Sequence, residues 1–164
     1  MPRKLPPIAI LLGLAGLIPF VACALAAVSR PDDEAARWLG ALVAYGAVIL
    51  AFLGGVHWGL VLRLPVEAAP LPRSRGESAQ LALGVAPSLI GWLALLLVLL
   101  VLPQVALGVL IAGFIGTAIA EDQLRRKNLV PLSYMALRLG LTMAVSVVLI
   151  TVFTLMAIGA KIIF

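Results

Sequence analysis

Long apolar runs alternate with short polar segments along the whole chain. A helix needs about 20 apolar residues to cross roughly 30 Å of hydrocarbon. Five runs meet that length: about Pro7 to Val28, Trp38 to Leu62, Leu81 to Leu102, Val105 to Ala120 and Leu139 to Ala160. The third and fourth are nearly continuous, but a single helix from Leu81 to Ala120 would be about 60 Å long, twice one crossing. Pro103-Gln104 is the natural break, because proline lacks the N–H the helical ladder needs and pushes its predecessor out of the α region. The pattern predicts an all-α, polytopic membrane protein: one domain over 1–164, a bundle of five transmembrane helices, with 63–80 as a cytoplasmic loop.

Charge placement orients this bundle. With five crossings the N-terminus shares a side with the loops after the second and fourth helices. That side carries Arg3, Lys4, Arg63, Arg73, Arg75, Arg125, Arg126, Lys127 and Arg138, whereas the other carries only Arg30, Arg37 and Lys161. The positive-inside bias predicts a bacterial cytoplasmic (inner) membrane protein with its N-terminus in the cytoplasm and its C-terminus outside. Trp38 and Trp58 fit the same frame as interface anchors, about 30 Å apart along one helix.

Composition removes the remaining classes. Hydrophobic residues make up 63% of the chain and charged residues 12%, at a mean hydropathy of +1.19. Soluble domains carry about 25% charged residues, so a water-soluble globular fold is excluded. A net charge of +5 would suggest nucleic acid in a soluble chain. Here the cations lie between apolar runs and read as topology signals and headgroup contacts, so the bilayer is the expected partner and nucleic acid is not. One Cys, one His and seven carboxylates supply neither a thiolate metal centre nor an intrachain disulfide. Phosphate loops, nucleophile triads and zinc-helix motifs are missing, so no catalytic residue, metal or cofactor is expected.

The first run also fits a secretory signal, since Arg3-Lys4 precedes an apolar stretch ending in small residues, with a lipobox-like Val21-Ala22-Cys23. That stretch exceeds a usual signal core of about 7 to 15 residues and carries Gly13, Gly16 and Pro19. Retention as the first helix is the expectation.

Small residues recur every fourth position: Ala47, Ala51, Gly55 and Gly59; Gly108, Ala112, Gly116 and Ala120; Ala136, Gly140 and Ala144. In lipid, helices associate through close backbone approach rather than a hydrophobic drive. These ridges are expected to pack the bundle internally, with a homodimer seam as the alternative.

Few polar groups remain for chemistry. His57, the single histidine, lies about 9 Å inside Arg63 on the second helix. It is read either as an interfacial residue beside Trp58 or as a proton-handling or ligand-binding group, because ionisable groups in a membrane demand a partner. Tyr134, Arg138, Thr142 and Ser146 share one face at four-residue spacing. Arg138 either snorkels to the headgroups, pairs with Glu121 or Asp122, or clamps an anionic headgroup or quinone oxygen. Pro87 kinks the third helix beside Ser88. The predicted topology puts His57, Ser88, Asp122 and Arg138 in the cytoplasmic half, from four different helices, so these four with Tyr134 and Thr142 form the candidate ligand-binding set.

The segments Gly16-Leu17-Ile18-Pro19-Phe20, Tyr45-Gly46 followed by Phe52-Leu53-Gly54-Gly55-Val56-His57-Trp58-Gly59, Pro87-Ser88-Leu89-Ile90-Gly91-Trp92 and Leu137-Arg138-Leu139-Gly140-Leu141-Thr142 carry a resemblance. Together they resemble a membrane-protein family of unknown function that includes mitochondrial transmembrane protein sixty-nine and its bacterial relatives. The His-Trp-Gly and Leu-Arg-x-x-Leu-Thr segments are the specific ones, and nearly all the chain is covered. The resemblance implies about five helices and no established activity. One departure is Leu132-Ser133-Tyr134, where many relatives are expected to carry a Trp-Tyr pair.

Two functions follow as expectations. The first is a non-enzymatic accessory or assembly protein packed against a larger, respiratory-type membrane complex. The alternative is a small binding or transport protein with a cytoplasmic-side pocket for a quinone, lipid or proton.

Overall fold

A computed structural model of the chain describes residues 6–62, 75–100, 102–126 and 132–159, the side chains of 60–62, 75–80, 124 and 132–134 excepted. All its elements are helices: α1 (Pro7–Ala15), α2 (Ile18–Ser29), α3 (Asp32–Leu62), α4 (Arg75–Leu99), α5 (Pro103–Arg126) and α6 (Leu132–Ala157). Five spans are long and apolar enough to cross a membrane, α1 and α2 together forming the first, Pro7–Ser29.

That first span is broken because Pro19 has no N–H to return to the carbonyl one turn earlier, and the chain tightens through Gly16 and Leu17 before α2 resumes. The Tyr45 hydroxyl on α3 donates to the Gly16 carbonyl at 3.0 Å and ties the bend to the bundle. Arg30 is held extended by Pro31 and ends α2. Asp32, Asp33 and Glu34 then open α3, where carboxylates complement the helix dipole.

Pro103 is the first residue of α5 rather than a residue of the turn. Its missing N–H belongs to a position that has no intrahelical partner in any case. The turn before it is closed by Leu102 N–H returning to the Leu97 carbonyl at 2.9 Å. Helices α3, α4 and α6 begin earlier than the apolar runs suggest, at Asp32, Arg75 and Leu132. Helical hydrogen bonding continues through polar residues outside the hydrocarbon, which hydropathy alone does not register. Arg138 therefore lies in the second turn of α6, and residues 75–80 of the expected loop are helical. The rest of that loop, 63–74, lies outside the described residues.

Helix α3 is central: it packs most extensively on α4 and also touches α2 and α5, while α5 packs on α6 and α4. Phe20, Leu42, Val43, Leu50, Leu107, Leu110, Phe114 and Leu149 fill the interior, with Phe20 edge-on to Tyr45 and Phe114.

Close helix approach is made at glycines other than those of the four-residue ridges. A Cβ on Gly91 would lie 3.0 Å from the Ala47 backbone, one on Gly54 would lie 2.5 Å from the Gly84 carbonyl, and one on Gly113 would lie 2.8 Å from Ile90. By contrast Gly55, Gly59, Gly108, Gly116 and Gly140 have open space where a Cβ would stand. The expected internal ridges thus turn outward along most of their length, because a membrane helix has small residues on several faces and only the fit of neighbours selects one.

Candidate functional site: a buried ion cluster beside an apolar cleft

At one end of the bundle three ionisable side chains from three helices meet with almost no exposure: His57 of α3, Glu121 of α5 and Arg138 of α6. The Glu121 carboxylate sits between the other two. Its Oε1 lies 3.0 Å from His57 Nε2, and its Oε2 lies 3.1 Å from Arg138 Nε, a charge contact not aligned as a hydrogen bond. An ionised carboxylate only accepts, so across this contact His57 Nε2–H donates to Glu121 Oε1. Arg138 Nη1 donates to the hydroxyl of Thr142, one turn further along α6. With a neutral imidazole, Glu121 and Arg138 cancel in charge, which makes burial in a membrane helix bundle tolerable.

The cluster is incompletely paired. His57 Nδ1 and Arg138 Nη2 are buried and have no hydrogen-bond partner among the described residues. A buried donor left unpaired costs on the order of 1–3 kcal/mol, more for a charged one. Arg138 and Thr142 form the polar end of a cleft of about 140 Å³ between α1, α2, α3, α5 and α6. Its walls are otherwise apolar, with Gly16, Phe20, Phe52, Phe114 and Val145 among them, and the exposed Leu12 and Phe52 form its rim. The volume is close to that of an apolar cavity of about 150 Å³ able to hold one benzene.

The structure thus brings together three members of the candidate set, His57, Arg138 and Thr142. Asp122 is placed elsewhere: it pairs with Arg125 and Arg126 on its own helix at 2.8 and 2.9 Å. Ser88 is turned back onto its own helix, its hydroxyl donating to the Val85 carbonyl at 2.7 Å. Tyr134 lies on α6, its side chain outside those described. Trp38 and Trp58 both lie on α3 and are exposed, and the Trp58 indole donates to the Leu81 carbonyl at 3.2 Å.

The group that joins the cluster is Glu121, which enters the sequence reading only as one of two choices for Arg138. A signal for it exists: Leu107, Leu110, Phe114, Thr117 and Glu121 follow three- and four-residue steps, and all five are buried. Asp122 is one residue, about 100° of helix, off that face.

Comparison with known proteins gives a matching family whose description is protein of unknown function (DUF3429), over residues 5–154. Transmembrane protein 69 of Xenopus tropicalis is 40% identical over 98 residues, covering 57% of this chain and 34% of that protein. Transmembrane protein 69 of Mus musculus is 38% identical over 91 residues, covering 56% and 34%. The match thus spans about a third of the length of these relatives. No solved structure matches.

Proposed function

The chain belongs to the DUF3429 family and is a multi-pass membrane protein, and on that premise we propose that it binds a small membrane-soluble ring compound bearing carbonyl or hydroxyl oxygens, of the quinone class, in the cleft headed by Arg138. The observation that carries this is that Arg138, whose buried Nη2 has no hydrogen-bond partner among the described residues, lines the polar end of an otherwise apolar, ring-sized cleft. A guanidinium N–H donates to a carbonyl oxygen, while Phe20, Phe52 and Phe114 offer apolar surface to a ring. Glu121 and His57 act through Arg138: the carboxylate holds the guanidinium near the cleft, and the imidazole engages the other carboxylate oxygen. Loop charges support placement in a bacterial inner membrane with the N-terminus cytoplasmic, which puts the cluster at the cytoplasmic end; reporter fusions to each terminus test that orientation.

The binding test uses detergent-purified protein titrated with decylubiquinone, followed by thermal shift and by mass spectrometry of retained ligand. Binding is expected to weaken at least tenfold in Arg138→Gln and to be blocked by Ile49→Phe, which fills the cleft without touching an ion pair. Wild-type binding by both variants, or none by the native protein, overturns the reading.

A second reading, an accessory protein on a larger membrane complex, is favoured by the outward-facing Gly55 and Gly59 of α3, which leave room for another backbone. Mild purification from the native membrane with identification of stoichiometric companions tests it; a protein that emerges alone counts against it.

A further inference from the structure

The first span has two unlike halves. Helix α2 buries Phe20, Ala24 and Val28 and packs on α3 and α6, whereas α1 has no buried residue and rests on α6. Every other helix sends side chains into the core. Where α1 meets α6 the contact is itself bare: a Cβ on Gly13 would lie 3.0 Å from Leu141 Cδ1, so a leucine lies against backbone with no side chain to interlock it. The two halves are joined at a break in the helical ladder. Pro19 offers no N–H to the Ala15 carbonyl. Leu17 N–H closes a tight turn onto the Leu14 carbonyl at 3.0 Å, and the Tyr45 hydroxyl holds the Gly16 carbonyl against α3. The junction is thus pinned to the bundle while the helix before it is not. That helix is also a wall of the cleft headed by Arg138, which Leu12 and Gly13 line together with Gly16 and Leu17 of the junction.

We propose that α1 is a lateral gate: it swings about Gly16 and Leu17 away from α6 and admits the ligand to the Arg138 cleft from the hydrocarbon of the bilayer. For the ligand this rests on the quinone-class reading of that cleft; the movement itself is read out without a quinone. Size requires a moving wall. The cleft, at about 140 Å³, is no larger than a cavity that holds one benzene, and a quinone adds two oxygens and a tail to such a ring. Phe114 of α5 and Val145 of α6 are buried in the core, so their displacement disrupts packing. Displacing α1 breaks only its contact with α6, and in lipid its apolar side chains exchange one hydrocarbon neighbour for another at little cost. Elements with few buried contacts are the ones that open locally while the rest stays folded. The opening faces the bilayer, because Leu12 and Phe52 at its rim are 62% and 67% exposed within the span region. A ring thus enters head first toward Arg138 and leaves its tail between these two side chains.

The test locks the gate. Gly13→Cys and Leu141→Cys are combined in a Cys23→Ser background, where the second substitution removes the atoms that a side chain at position 13 would meet. Oxidation joins α1 to α6, and a reductant releases it. Ile49→Cys inside the cleft then reports entry through its rate of labelling by N-phenylmaleimide, an apolar ring reagent, in vesicles. Met143→Cys, exposed and outside the cleft, is the control reporter. Oxidation is expected to slow labelling at Ile49→Cys at least tenfold, reversibly, and to leave Met143→Cys unchanged. Decylubiquinone should likewise bind and dissociate at least tenfold more slowly in the locked protein, with a nearly unchanged Kd, a kinetic signature that a lost contact would not give. Failure of the pair to cross-link, unchanged labelling at Ile49→Cys in the locked protein, or equal slowing at both reporters overturns the proposal. Gated labelling in a protein that binds no decylubiquinone upholds the gate and removes the quinone reading, so the two fail separately.

Discussion

At one end of the bundle Leu39, Leu42, Val43, Leu107 and Val152 close the interior with hydrocarbon alone, whereas at the other His57, Glu121 and Arg138 bury three ionisable groups between α3, α5 and α6. Both ends bring together the same helices, so packing alone does not require charge. The apolar end is held by many small, interchangeable contacts. The ionic end is held by one carboxylate on which two partners depend, and it retains donor and acceptor atoms with no partner among the described residues. A buried ion cluster is no better for stability than well-packed apolar residues of similar volume, and loss of one member is costly. The contrast separates the part of the interior that maintains the bundle from the part available for recognition.

The sharpest way to break the contrast is Glu121→Ala. It leaves the Arg138 charge and the His57 ring without their shared acceptor, and a loss of about 3–5 kcal/mol is expected, read as a large fall in unfolding midpoint in detergent. Leu42→Ala, at the other end, should cost about 2–5 kcal/mol through its cavity but leave the ligand affinity of the surviving folded protein unchanged. Equal effects of the two on affinity would remove the functional distinction between the ends.

Next in size comes replacement of the entire cluster. The triple variant His57→Phe, Glu121→Leu, Arg138→Met removes all three charges together and should be neutral or more stable by about 1–4 kcal/mol, yet it should no longer bind decylubiquinone. A triple variant as unstable as Glu121→Ala would assign the cluster a structural role instead.

The smallest effects distinguish packed from open glycines. Gly54→Ala drives a methyl against the Gly84 carbonyl and should cost about 1–3 kcal/mol. Its neighbour Gly55→Ala enters open space and should stay within about 0.5 kcal/mol of the parent. Adjacent residues with opposite outcomes, measured side by side by thermal unfolding, check the rotation of α3 about its axis.

Much of the fold was legible because span length and proline chemistry act locally. Each apolar run reports its own crossing, and Pro103 marks the hairpin whatever surrounds it. Much less of the site was legible. His57 and Arg138 stand out as intramembrane ionisable groups, but Glu121 and Asp122 are adjacent carboxylates at a helix end, and composition treats them alike. The small-residue ridges present the same difficulty: Gly54 and Gly55, or Gly113 and Gly116, are indistinguishable until a neighbour covers one of each pair.

By itself the sequence determined that this protein is helical, that it has five spans, and where the polypeptide turns between the third and fourth. Those properties follow from the free energy of placing each segment in hydrocarbon, a sum over its own residues. Only the tertiary structure decided which carboxylate pairs with Arg138, which glycines are packed and which face outward, and that an apolar cleft ends on the Arg138 guanidinium. In lipid almost every helix face is apolar, so hydropathy scarcely distinguishes one rotation of a helix from another. That rotation is set by the steric fit of neighbouring backbones and by the need of each buried charge for a partner.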